Sequence, residues 1–152
     1  MTFKNAFMIT LTAGSILASH LTQAGSPVHI TVKNLSDQEM YYQSTSAMTQ
    51  AHASPTPELL IKGKGSDEFR VTNPALPDVT TASLRYTIGN KTCEFRTSYI
   101  RTIAPGGLFS GKLNTAPKWD KKAISSGNAT CTVTVTSTNF SDHSWSVVFT
   151  MK

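Results

Sequence analysis

Wherever this chain shows a hydrophobic pattern, apolar and polar residues alternate with a period of two, the spacing of half-buried strands. Val28, Ile30 and Val32 alternate with His29, Thr31 and Lys33, and Asn34, Leu35, Ser36 and Asp37 then read as a turn. Residues 40–43 are expected to form the returning strand. Residues 44–58 are polar and contain Pro55 and Pro57. That is long for a connection in a compact domain, so a functional or disordered loop is expected there. Short strands are predicted at 59–62 and 67–72, around a turn at Gly63, Lys64 and Gly65, before Pro74 and Pro77 interrupt the chain.

The clearest local unit is a hairpin. Residues 83–88 and 92–98 flank Gly89, Asn90 and Lys91, a turn whose Gly and Asn tolerate positive φ. Pairing Ile88 with Cys93 sets Tyr86 opposite Phe95 and Leu84 opposite Thr97 on one apolar face. The other face then carries Thr87 opposite Glu94 and Arg85 opposite Arg96. A second hairpin ends the chain: Cys131, Val133 and Val135 alternate with threonines, and Trp145, Val147, Phe149 and Met151 repeat the alternation. β-branched threonines suit the outer face of such a sheet. No segment has sustained helical periodicity. Short strands and frequent turns predict an all-β fold, a single antiparallel β-sandwich.

The first residues follow a different pattern. Lys4 precedes a mostly apolar run at 6–18, and no acidic residue occurs before Asp37. The run falls within the about 7–15 residues of a signal-peptide core, whereas a membrane span needs about 20 apolar residues. Thr22, Gln23 and Ala24 before Gly25 offer a cut flanked by small side chains. Bulky Ile16 weakens the other choice, after Ala18. Residues 1–24 are therefore expected to be a signal peptide and 25–152 the β-sandwich domain, secreted or periplasmic, with no transmembrane segment in the mature chain.

Export changes the reading of the cysteines. The chain has two, Cys93 and Cys131, and an even pair in an exported protein predicts one disulfide. Both fall on expected inner faces, so the bond would join the two hairpins through the core. In the chain-entropy model, closing that loop constrains the unfolded state by about 4 kcal/mol. No histidine stands at ligand spacing to make them a zinc site, and no metal or cofactor is expected. Four Asn-x-Ser/Thr sequons, at Asn34, Asn90, Asn128 and Asn139, matter only in a eukaryotic secretory pathway.

Charge adds little. The whole chain carries a formal +5, which keeps it soluble and favours anionic partners without implying specific nucleic acid. Catalytic signatures are missing. Ser141, Asp142, His143 and Ser144 hold the residue types of a hydrolytic triad, but adjacency is not triad geometry, and no Gly-x-Ser-x-Gly elbow occurs. Pro105, Gly106 and Gly107 lack the Lys-Ser/Thr ending of a phosphate loop.

Two features suit binding. Lys112, Lys118, Trp119, Lys121 and Lys122 form a basic stretch around one aromatic residue, the composition of a site for an anionic lipid interface; Trp119 capping the core beneath a solvated loop is the competing reading. Arg85 opposite Arg96 is an unfavourable pair that a carboxylate or phosphate ligand would offset. Glu94, diagonal to Arg85, would do so without a ligand. One of Tyr41 and Tyr42 must face outward on a shared strand.

The opening Val28-His29-Ile30-Thr31-Val32-Lys33-Asn34-Leu35-Ser36, the Tyr86 hairpin, the Trp119 region and the Thr/Val-rich closing strand resemble, in content and order, the layout of the aegerolysin family. The resemblance implies a β-sandwich and non-enzymatic recognition of membrane lipids, sometimes as a partner in pore formation. The chain departs from the family in having only Trp119 and Trp145, in being basic and in carrying a leader, and no binding residue carries over by position. The combined expectation is a secreted, non-enzymatic binding protein that recognises an anionic or lipidic surface through Arg85, Arg96, Lys118, Trp119, Lys121 and Lys122. The alternatives are an envelope protein that inhibits a partner protein through residues 44–58, and a small secreted hydrolase using His143 or His29.

Overall fold

The computed structural model describes residues 24–104 and 114–152. All of the expected leader but Ala24 lies outside the described residues, as do Pro105, Gly106, Gly107 and Lys112. Alternation yields β1 (Val28–Asn34), β2 (Met40–Ser44), β3 (Ala53–Ser54), β4 (Leu60–Ile61), β5 (Ser66–Val71), β6 (Val79–Ile88), β7 (Lys91–Ile103), β8 (Thr115–Ser126), β9 (Cys131–Thr138) and β10 (Trp145–Met151), with one helix, α1 (Ala47–His52). The strands form two five-stranded sheets, ordered β3-β5-β1-β10-β9 and β4-β2-β6-β7-β8. Pairing is antiparallel except between β1 and β10, which run parallel. The expected all-β sandwich is the fold.

Inward residues of both sheets make one core. On β6 every second residue from Thr80 to Ile88 is buried, and on β10 Trp145, Val147, Phe149 and Met151 are. Phe95 of the second sheet stacks on Phe149 of the first with ring centroids 4.8 Å apart. Cys93 on β7 and Cys131 on β9 are bonded, with Cα atoms 5.7 Å apart, so the disulfide joins the two sheets as expected. The indole nitrogen of Trp145 also bridges them: it donates to Thr97 Oγ1 at 2.9 Å, and that hydroxyl donates to the Asp120 carbonyl at 3.2 Å. Burying an indole N–H requires such a partner.

Several local expectations need correction. Residues 40–43 do not return against the first strand. β1 belongs to one sheet and β2 to the other, and β4 and β5 are divided in the same way. Asn34 explains the corner. Its Oδ1 accepts from the Ser36 N–H at 3.0 Å and from the Ser36 hydroxyl at 2.8 Å, closing a local turn. Its buried Nδ2 donates to the carbonyls of Gln38, Ile61 and Lys62 at 2.6, 3.2 and 3.1 Å, so one side chain clamps both crossovers. Asn34 is thereby unsuited to be a sequon acceptor.

The central hairpin is tighter than expected. Ile88 pairs with Lys91, leaving a two-residue turn of Gly89 and Asn90 with Gly89 at φ 57°, as a hairpin turn with glycine first requires. The register slips by two residues, which preserves the faces but changes the partners: Tyr86 opposes Cys93, Leu84 opposes Phe95, and Arg85 opposes Glu94 rather than Arg96. Residues 44–58 are not simply a loop. Ser46 caps α1 by accepting from the Thr49 N–H, and β3 pairs with β5. The basic stretch is strand β8, which pairs with β7 along its whole length. As an edge strand it tolerates Pro117 and its lysines. No helix among the described residues is long and apolar enough to cross a membrane.

Two stability experiments follow from this packing. Replacing Cys93 and Cys131 together by Ala should lower unfolding free energy by about 2–5 kcal/mol, measured by urea titration under non-reducing conditions. Thr97→Val should cost about 1–3 kcal/mol, because it strands the buried Trp145 N–H. Tyr86→Phe is the control: the Tyr86 hydroxyl is buried without a hydrogen-bond partner among the described residues, so its removal should be near neutral or stabilising. An equal loss in Thr97→Val and Tyr86→Phe would show that the Trp145 bridge has no special weight.

Candidate functional site

The outward face of the second sheet is organised in rows that cross the strands, each set by the register. The first holds Tyr41, Thr87, Thr92 and Ser126, and the second Gln43, Arg85, Glu94 and Ile124. Then come Ser83, Arg96 and Lys122, followed by Thr81, Ser98 and Asp120, and finally Val79, Ile100 and Lys118. Between the third and fourth rows lies the register row Ala82, Thr97, Lys121. Ala82 and Thr97 of that row are buried in the core, so only backbone remains there on the outer side.

A trough of about 470 Å³ results, lined by residues 81–83, 96–98 and 120–122. Its floor has the small hydroxyl side chains of Thr81, Ser83 and Ser98. Its walls carry Arg96 and Lys122 on one side and Asp120 on the other. At the β6 end the trough is closed. β2 pairs with β6 only as far as Leu84, and α1 takes over as neighbour: Thr49 Oγ1 accepts from the Ser83 N–H at 3.0 Å, and Thr45 Oγ1 donates to Ser83 Oγ at 3.3 Å. At the other end β8 is the edge of its sheet, hydrogen-bonded only to β7 among the described residues, and the trough opens past the exposed Lys121 and Lys122.

Of the six residues expected to bind, Arg85, Arg96, Lys118 and Lys122 share this outward face. Glu94 holds two of them, with Arg96 Nη2 at 2.6 Å and Arg85 Nη2 at 3.6 Å from its carboxylate oxygens. The Arg96 hydrogen bond, aided by the charges of both arginines and opposed by partial burial, holds the Glu94 carboxyl below the ordinary carboxylate range. Lys118 Nζ lies 3.3 Å from Asp120. Lys122 has no ion-pair partner among the described residues. Lys121 lines the trough from the inward-facing row and is exposed at the edge.

Trp119 is placed elsewhere. Its half-buried ring packs on Tyr99, with centroids 5.9 Å apart, and meets Phe140 edge-on at 5.2 Å. Its Nε1 donates to the His143 carbonyl at 3.2 Å. It caps the core between the sheets on the side away from the basic face. Of the tyrosine pair, Tyr41 is the outward member and Tyr42 the buried one.

The segment with triad-like composition is a turn. Asp142 Oδ1 accepts from the Ser144 N–H at 2.9 Å and from its hydroxyl at 2.7 Å. These bonds, the backbone one first, hold the Asp142 carboxyl below its ordinary range. The His143 ring stacks on Tyr99 at 5.2 Å instead of meeting a serine hydroxyl. Among the described residues, no three or more His, Cys, Asp or Glu side chains gather as metal ligands.

Sequence reasoning missed Thr81, Ser83, Ser98 and Asp120. Their signal was parity: with β8 recognised as a strand, each falls on the same face as Arg96. No protein-family model matches the chain, and no curated protein is significantly similar to it in sequence.

Proposed function

We propose that this chain is an exported, non-enzymatic binding protein that recognises an anionic surface with the outward face of its second sheet. The observation that carries the reading is the convergence of Arg85, Arg96, Lys118 and Lys122 on one face, where Glu94 and Asp120 leave an excess of two positive charges. A disulfide between the sheets suits an oxidising compartment, in keeping with the leader expected at residues 1–24. Asp142 and Ser144 bond to each other in a turn, the Ser141 N–H donates to Asn139 Oδ1, and His143 is stacked on Tyr99, which favours binding over hydrolysis. Residues 44–58 are largely spent on the fold, through α1, β3 and the buried Pro57, which favours the sheet face over an inhibitory loop. The aegerolysin-like layout agrees on non-enzymatic recognition and adds lipid as one form such a surface takes.

Co-sedimentation of the purified protein with vesicles of phosphatidylcholine, with and without phosphatidylglycerol, and with dextran sulfate tests the reading. Binding to at least one anionic probe should appear at low salt and weaken as salt rises, since exposed charges are screened beyond about 8 Å at physiological ionic strength. Arg96→Ala with Lys122→Ala should lower affinity about 30-fold, taking about 1 kcal/mol for each charge near an anionic surface. Indifference to every anionic probe at low salt would overturn the proposal.

Glu94 adds a pH prediction. Its folded value is depressed, so its contribution to stability is present above the unfolded carboxylate value and is lost as pH falls through the lowered one. The same protonation frees Arg85 and Arg96. Affinity for a sulfated probe, whose own charge is constant, should therefore gain a Glu94-dependent rise as pH drops below the ordinary carboxylate range. Glu94→Gln should bind more tightly at neutral pH and lose that acid-side rise, as isothermal titration across pH would show.

A further inference from the structure

We infer that the trough across β6, β7 and β8 is a subsite for an acidic polysaccharide chain. This rests on the anionic-surface reading and names its ligand class.

The first argument is the charge on the trough wall. Arg96 and Lys122 stand directly opposite each other across the β7–β8 pairing, and like charges so placed destabilise a sheet. Glu94 lies on the far side of Arg96 and pairs with Arg85 as well. Lys122 has no acidic partner among the described residues. A carboxylate or sulfate seated between the guanidinium and the ammonium group supplies the missing countercharge; Nε and Nη2 of Arg96 already donate to Glu94, which leaves Nη1 to meet the oxyanion.

The second is the floor. Thr81, Ser83 and Ser98 present hydroxyls that donate and accept, and the Asp120 carboxylate on the opposite wall accepts from hydroxyl donors. A polyhydroxylated ligand satisfies both sets at once. A layer of phosphate headgroups has no use for the hydroxyl floor.

The third is shape. Three strands about 4.8 Å apart give a floor about 10 Å long, room for about two sugar rings. The trough is closed at Ser83 by Thr45 and α1 and opens over the β8 edge. A chain can therefore enter end-on and continue off the protein.

The surroundings separate this ligand from its rivals. Neutral glycans are usually held by aromatic platforms, but Tyr41, the aromatic residue on this face, lies three rows from Thr81, Ser98 and Asp120. Ile100 and Ile124 are exposed on separate rows with polar residues between them, so among the described residues the rows of this face form no contiguous apolar patch. The half-buried Trp119 faces the other way.

The test is isothermal titration of the purified protein with polygalacturonate, trigalacturonate, dextran sulfate and neutral dextran, beside co-sedimentation with phosphatidylglycerol vesicles. Polygalacturonate and trigalacturonate should bind with comparable affinity per site, and neutral dextran should not bind. Ser98→Leu fills the trough without changing charge and should lower trigalacturonate affinity at least tenfold while leaving any vesicle binding in place. Lys122→Glu should abolish glycan binding, which guards against a Ser98 variant that fails to fold; circular dichroism checks both. Binding to phosphatidylglycerol vesicles but to neither the galacturonates nor dextran sulfate overturns the glycan subsite and leaves the anionic-surface reading standing, whereas binding to dextran sulfate without the galacturonates supports the subsite for a sulfated chain. Galacturonate binding unchanged in Ser98→Leu overturns the placement in the trough. Failure with every anionic probe overturns both readings.

Discussion

The Trp145 indole N–H is the demand around which the binding face is arranged. It is buried against the second sheet, and a buried donor without an acceptor would cost more than the burial of one more polar atom. Thr97 answers it and passes a hydrogen bond on to the backbone of Asp120, so β10, β7 and β8 are held together at one level. Because Thr97 must point inward, Arg96 and Ser98 must point outward, and so must Lys122 and Asp120 beside them. The trough lies directly over this bridge. A core requirement has thus set the positions of the surface charges without any of them contributing to the core.

Glu94 does comparable work on the surface. Exposed ion pairs stabilise weakly, so its importance is geometric: one carboxylate holds two guanidinium groups against the sheet. It keeps Arg85 and Arg96 from splaying into solvent and lowers the repulsion between cations on neighbouring rows. The like-charge pair present in the structure is Arg96 with Lys122, one strand away from the Arg85–Arg96 pair that the hairpin alone implies. The principle that opposed cations point to a missing anion applies, but to a different pair.

Legibility followed the length of the periodic segments. The alternation of β1, β6, β9 and β10 is plain in the sequence, as are the fold class and the inter-sheet disulfide, because each depends on parity and parity survives a slip of two residues. Partners do not survive it, so pairing Ile88 with Lys91 across two residues, instead of with Cys93 across four, altered every cross-strand pair. β8 was obscured for a physical reason: an edge strand carries lysines and a proline to discourage further pairing, and these are also loop signals. Without β8 the hydroxyl floor had no visible context. Asn34 read as a turn residue, which it is, but its reach to Ile61 and Lys62 is tertiary and leaves no local trace. α1, with six residues, is too short to display a helical period.

The parallel pairing of β1 with β10 has a consequence for the order of events in folding. Val28 pairs with Trp145 and Asn34 with Met151, so β1 rests beside β10, more than a hundred residues further along the chain. β1 can dock on β5 early, but its other edge stays open until β10 arrives. Contacts so distant along the chain make folding slow. A domain built this way keeps one edge of its first strand unpaired until β10 is in place, so β10 completes the sheet rather than starting it.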